Sequence, residues 1–546
     1  MHWRACMNHI YRVIYNQYTA TYQAVPEISK GAHKTHSEHM VDGTLTPFSQ
    51  SNVSFFRTVF TTLAMLIANL GMQQYVYAAP TGGQVVAGQA NITQTGAVTN
   101  IHQSSQNAAI NWQQFNIKPT ETVNFKQPNA QAVTLNRVIG NEKSVIGGAM
   151  NANGKVFITN PNGTIIGKNA QINVGGLVAT TANISDDDFM NGRYQFNGGS
   201  QGVIENLGHI NVPEGGVVAL IAPIVKNGGT ITAPKANVLL ASVERFSITL
   251  PDNQNFAYTL DQGTLQGLVD NGGAILADGG HVVLTAKGID TVKKSLIKHS
   301  GVIEANTVQN KNGVIELLGD LDNTRLEVSG TLKAEAKAQG DGGFIETSAS
   351  QLDISEQANI STHAENGKTG TWLIDPKDFT VAPSGGDTTG AVVSKGLEQN
   401  NVTLKSRDGA KEGKGDVVIN DEISWNKNTL TLNAENDIHI NKNLTGTGTA
   451  KLALKYGQGT PSGWNTDFYI QNGGKINLPK GMNLSTQKGM FGELISYDVI
   501  HEFPKIIKDY NGYKSEFIGK NFAIGKDIDL SFTKNIKNFL CTRQKY

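Results

Sequence analysis

The chain has 546 residues with 46 basic against 46 acidic side chains, so its net charge is zero and neither a nucleic-acid surface nor an acidic tail is expected. Charged residues make up only 17%, against roughly 25% in an average soluble domain. Gly is abundant at 60 residues and Pro scarce at 15, which excludes collagen-like and proline-rich disordered chains and points to a long, turn-rich β protein.

The chain opens on a leader. Residues 59–70 (VFTTLAMLIANL) follow Arg57 and lead to the small-residue stretch 75–80 (YVYAAP), the pattern of a secretory signal peptide. The apolar run is too short to span a bilayer, which takes about 20 residues. Cleavage is expected after Ala78, with Val76 at the −3 position. Cutting after Ala79 would place bulky Tyr77 there and Pro80 directly after the bond. Upstream, residues 7–16 (MNHIYRVIYN) and 22–31 (YQAVPEISKG) resemble the extended signal peptide of very large Gram-negative surface proteins. That resemblance begins at Met7, the expected start, makes residues 1–78 the leader, and implies slowed inner-membrane export. The only cysteines, Cys6 and Cys541, lie near the ends, so the chain between them carries no covalent loop to obstruct a narrow pore.

From about Gly82 onward, Gly-led turns alternate with short strand patterns, such as 215–222 (GGVVALIA), 279–286 (GGHVVLTA), 313–318 (GVIELL) and 342–348 (GGFIETS). Gly272, Gly301 and Gly330 are spaced by 29 residues, which signals stacked repeats. Helical repeats are excluded by the density of Gly, and no propeller-blade signature is present. The expected fold is all-β, a right-handed parallel β-helix with Val, Ile, Leu and Ala inside and Gly and Asn at corners requiring positive φ. Gly-led strands recur at both about 12 and about 17 residues, which leaves the coil length open. Some fifteen to twenty coils would stack to roughly 70–95 Å.

The most specific text follows: 109–117 (AINWQQFNI), 123–140 (VNFKQPNAQAVTLNRVIG), 153–167 (NGKVFITNPNGTIIG) and 172–184 (INVGGLVATTANI). These ordered blocks resemble the haemagglutination-activity, or two-partner secretion, domain of filamentous haemagglutinin-like exoproteins, here residues 79–330. The family's NPNG motif stands intact at Asn160, Pro161, Asn162 and Gly163. Its NPNL motif is replaced by 126–137 (KQPNAQAVTLNR), as in the high-molecular-weight adhesin branch. In physical terms NPNG is a turn, with Pro setting φ and Asn-Gly tolerating the left-handed region. The resemblance also places it in the segment recognised by the cognate outer-membrane transporter. Residues 331–383 read as continuing β-helix ending in a block (GTWLIDPKDFTVAP, 370–383) like that of many large adhesins. Residues 384–531 resume strand alternation. The basic tail 532–546 reads as the product of a frameshift or premature stop, the alternative being a small capping helix.

Catalytic motifs are missing. His102, His209, His281, His299, His363, His439 and His501 show no zinc spacing, and Gly367-Lys368-Thr369 lacks the upstream Gly of a P-loop. Asp186, Asp187 and Asp188 form a dense acidic cluster for which calcium is the less favoured reading beside simple solvation. No enzyme activity, cofactor or metal is therefore expected. The resemblance implies a surface-exposed or released adhesin whose partners are the outer-membrane transporter and a host-cell glycan or protein receptor. The alternatives are a cytolysin or contact-dependent inhibition toxin of the same secretion class and, further off, a β-helical polysaccharide lyase. N-terminal sequencing of the extracellular product should begin at Ala79, and release should depend on co-expression of the transporter.

Overall fold

Most strands are three to six residues long and separated by tight turns, too short to pair as long hairpins, and most pair instead with their equivalent one coil later. The computed structural model describes residues 79–198, 202–250, 256–289, 294–376, 378–406, 413–501 and 521–525, together with the strands Tyr11–Asn16 and Thr21–Pro26. Those two strands form an antiparallel pair within the leader unit, which ends at Val76. Ala78 and the tail 532–546 lie outside the described residues.

The second unit is a parallel β-helix of three faces. One coil runs through Val203–Asn206, His209–Asn211 and Val217–Ile221, and the next through Ile224–Asn227, Thr230–Thr232 and Asn237–Ser242. Each strand pairs in parallel with its counterpart. The longest face, here termed the spine, holds fourteen parallel strands among the described residues, from Asn107–Trp112 to Gly481–Lys488. At ~4.8 Å per step it is about 60 Å long. The 29-residue Gly spacing matches the coil length where those glycines lie, Ile303 pairing with Leu332, but coils are fewer than expected and vary in length. Val217 pairs with Asn237, a coil of 20 residues, whereas Asn237 pairs with His281, a coil of 44 that carries an insertion.

Inside, like stacks on like. Met150, Ile172, Ile210, Ile231, Ile275, Ile303 and Leu332 follow one another in register down the second face, all fully buried. Burial of each aliphatic side chain is worth about 1.5–3 kcal/mol, and the column gives each coil the same hydrophobic grip on the last. On the spine, strands Gly176–Thr180 and Val217–Ile221 are buried on both faces. Their outer side is covered by the helix Asp186–Met190 and by the antiparallel strands Tyr194–Phe196, Arg245–Thr249 and Ala257–Gln262. Phe157, Phe189, Tyr194, Phe196 and Phe246 make a second core there, which explains continuous apolar runs where one-sided burial would produce alternation.

The glycine column answers a different demand from the one expected. At Gly273, which takes the place expected of Gly272, and at Gly301 and Gly330, φ is not in the left-handed range. A Cβ there would lie 2.2, 2.1 and 2.3 Å from the carbonyl oxygen of the coil before. Close backbone approach, not positive φ, demands glycine at this corner.

The ends and one middle zone break the pattern. At the N-terminal end Gln84–Ala87 and Ala90–Thr95 pair antiparallel with the first strands of the spine and of the second face, which closes their edges. Past residue 361 the second and third faces stop, and the helix Gly390–Leu397 packs beside Trp372 while the spine runs on through Thr371–Ile374 and Asn401–Lys405. Two new short sheets then resume the other faces. The spine therefore crosses the end of the secretion-type region and the 370–383 block without interruption.

A buried polar column runs beside the aliphatic ones. Asn206 donates to Asn227 at 2.8 Å, Asn227 to Asn271 at 2.7 Å, and Asn271 to Nδ1 of His299 at 3.1 Å, while Nε2 of His299 meets the Thr331 carbonyl at 3.1 Å. With a donor facing Nδ1 and an acceptor facing Nε2, the ring is neutral, and burial lowers its pKa to about 4. In the unfolded chain the ring takes up its proton near the ordinary 6.5, so stability falls as pH drops from about 6.5 to about 4, by about 3 kcal/mol in all. The variant His299→Asn continues the amide column and should lose that part of the acid sensitivity. Melting temperatures of both proteins between pH 7.5 and 4.5 test this, and parallel declines would refute it.

Candidate functional site

The NPNG motif forms the corner between Lys155–Thr159 on the spine and Thr164–Ile166 on the third face. Gly163 N–H donates to the Asn160 carbonyl at 2.9 Å, closing a four-residue turn. Gly163 has φ +100°, and a Cβ on it would lie 2.5 Å from the Val203 carbonyl oxygen of the next coil, so both conformation and space require glycine.

Asn160 is fully buried and saturated. Its amide nitrogen donates to the Glu142 carbonyl and to Ser144 Oγ, both at 3.0 Å, and its Oδ1 accepts from the Asn162 N–H at 2.9 Å. Asn162 in turn donates its side-chain amide to the Gly140 carbonyl at 2.9 Å. The two asparagines therefore tie this corner to the coil before it. Pro161 alone of the four is exposed, with Asn162 half-buried beside it.

The stretch that replaces the second family motif adopts the same plan. Gln127 is buried, donates to the Ala132 and Lys155 carbonyls and to Thr134 Oγ1, and accepts from the Gly154 N–H at 2.8 Å. Pro128 and Asn129 follow it on the surface. A buried amide preceding an exposed Pro-Asn is thus common to both corners, with Gln127 standing where Asn160 stands in the other. The exposed loop forms one wall of a polar cleft of about 550 Å³, lined by Gln106, Asn107, Asn129, Gln131, Lys155 and Tyr194.

The acidic trio is an ion-pair anchor. Arg137 on the spine donates to Asp186 and to the Ile184 carbonyl, both at 2.7 Å, and to Asn111 at 3.0 Å. Arg193 holds Asp187 and Asp188, and the hydrogen bond from Ser185, the helix N-cap, followed by that from Arg193, keeps the Asp188 carboxyl below the usual range. Asp186 thus fastens the covering helix to the spine, while Asp187 and Asp188 hold Arg193 just beyond the end of the helix.

Ala79, the expected first residue after cleavage, is buried. Two residues on, Thr81 pairs with the Gln113–Gln114 backbone, so the segment just past the expected cleavage point is woven into the first coil. Sequence reading missed the pairing of histidines with carboxylates, because coil register and not chain spacing creates it. His281 meets Glu316 at 2.8 Å, and His439 lies 3.9 Å from Asp416.

Comparison with known proteins agrees with this geometry. Residues 76–334 match the TPS secretion domain, and residues 7–46 match the extended signal peptide of the type V secretion system. The heme/hemopexin-binding protein of Haemophilus influenzae is 33% identical over 412 residues, covering 70% of this chain and 40% of the relative. A second protein of the same name, from Haemophilus influenzae strain KW20 / Rd, is 33% identical over 286 residues, covering 51% of this chain and 31% of its own length. Among solved structures, the crystal structure of the HMW1 secretion domain from Haemophilus influenzae is similar with a TM-score of 0.52 and 25% identity, covering 73% of this chain and 98% of that one. The chain spans 40% or less of the length of these curated relatives.

Replacing Asn160 by Ala strands the Asn162 N–H and removes two buried bonds. It should cost about 2–3 kcal/mol, whereas Pro161→Ala, on the surface, should cost under about 1 kcal/mol. Urea unfolding of the two variants checks the contrast.

Proposed function

The chain is a two-partner secretion exoprotein, carried by its extended leader and TPS secretion domain across both membranes of a Gram-negative bacterium, and from that premise we propose that it works outside the cell as a non-catalytic binding rod for a host macromolecule. The TPS domain implies a cognate outer-membrane transporter. Such a partner reads surface, and at the NPNG corner the surface consists of Pro161 and the edge of Asn162. Secretion would then be sensitive to Pro161 and folding to Asn160.

The ligand we favour is a haem-carrying serum protein of the hemopexin kind. One observation carries this reading: the likeness to the heme/hemopexin-binding protein covers 70% of this chain, more than the leader and the 76–334 secretion domain together contain. Likeness confined to the export module would speak only of export. A cell-surface adhesin is the second reading, favoured by the 370–383 block, which lies beyond the secretion domain and resembles that of many large adhesins. Both use the long sides of a β-helix, where many modest contacts add.

The secreted protein, immobilised and exposed to haem-loaded hemopexin, should bind it saturably and should not retain epithelial cells. Cell adherence without hemopexin binding would replace the first reading with the second. Hydrolytic or lytic activity on cells or polysaccharides would overturn both.

A further inference from the structure

In the coils beyond the secretion domain, strands Val417–Ile419, Ile438–Ile440 and Phe468–Ile470 stack in parallel register. The residues directly before them, Asp416, Asp437 and Asp467, therefore recur at one corner of three successive coils. Carboxylates one coil apart, at ~4.8 Å, repel one another. Among the described residues no lysine or arginine forms an ion pair with any of the three.

The carboxylates are also held in orientation. Oδ1 of Asp416 accepts from Asn436 Nδ2 at 2.7 Å and from the Asp437 N–H at 3.1 Å, and Oδ1 of Asp437 accepts from the Asp467 N–H at 2.7 Å. Oδ2 of Asp416 lies 3.9 Å from Nε2 of His439, whose ring stacks on Tyr469 with centroids 5.4 Å apart and planes 14° apart. One ligand atom each from Asp416, Asp437 and His439 lies within 4.8 Å of the other two. Around a tetrahedral zinc ion, with bonds of ~2.1 Å, ligand atoms sit about 3.4 Å apart. Small side-chain rotations of these half-exposed groups reach that spacing.

We propose that Asp416, Asp437 and His439 bind a divalent transition ion, which joins two adjacent coils and cancels the repulsion of their carboxylates. The imidazole selects zinc-like ions over calcium, which takes oxygen ligands in greater number. Donors on the other oxygen of each carboxylate, and the tyrosine face against the ring, supply the outer support such sites use. Three protein ligands leave a fourth position for water. Because the ion binds only the folded arrangement, it stabilises these coils in proportion to its concentration over its Kd.

The test uses the secreted protein stripped with a chelator and titrated calorimetrically with zinc chloride, then with cobalt(II) followed by visible absorption. His439→Phe keeps a flat ring against Tyr469 while removing the ligand. Asp416→Asn keeps the acceptor for Asn436 and the Asp437 N–H. The wild type should bind one more equivalent of zinc than either variant, should show a cobalt band that both lack, and should alone gain several degrees in melting temperature with zinc. Unchanged circular dichroism of the variants shows that the loss is local; should a variant misfold, the wild-type cobalt spectrum decides by itself. The proposal is overturned if wild type binds no zinc up to about 1 mM, if the variants bind as wild type does, or if calcium binds there and zinc does not.

Discussion

Every coil of a parallel β-helix ends in a row of backbone N–H and C=O groups that only the next coil can satisfy, and the chain meets this demand in strict register over fourteen spine strands. Register then dictates composition. An inward residue sits on the inward residue of the preceding coil, so aliphatics form the column from Met150 to Leu332 and amides form the column from Asn206 to Asn271. Amides suit a buried column because each offers both a donor and an acceptor along the stacking direction. His299 ends the amide column by accepting on one nitrogen and presenting the other to a carbonyl, which only the neutral ring can do.

The same requirement explains how corners are built. Where two backbones cross closely, at Gly273, Gly301 and Gly330, any side chain would strike the carbonyl of the coil before. Where the chain must turn sharply from one face to the next, as at Asn160 to Gly163, a proline sets the bend and asparagine amides bind it to the coil before. The corner is thus a structural joint with a small exposed tip. A motif shared among proteins of this secretion class can be retained for the joint, for the tip, or for both, and the burial of Asn160 separates the two roles along the four residues.

Stacking also suits the route of export. A solenoid coil has little to gain alone and much to gain from the coil already formed. The segment around Thr81 is paired into the first coil, and antiparallel strands close the end of the stack there. A chain emerging N-terminus first thus has a finished platform on which later coils add. The absence of cysteine between positions 6 and 541 keeps that chain unlinked while it is threaded.

Much of this was legible in the residues themselves. Gly-led alternation and the 29-residue spacing carry the β-helix, and the ordered blocks between 109 and 184 carry the secretion domain, because both are local patterns that backbone geometry imposes on neighbouring residues. Coil length was not legible: insertions such as the strands covering the spine at 245–262 lengthen one coil to 44 residues without altering its register. Nor was it legible that Asp186 to Asp188 serve Arg137 and Arg193, that Gln127 stands in for the asparagine of the missing motif, or that His439 meets Asp416. Sequence alone determined which segments become strands and corners, since those follow from side-chain pattern and turn chemistry over a few residues. Only the tertiary structure decided which residues touch, because contacts across coils are set by the number of residues each coil consumes, and that number varies from one coil to the next.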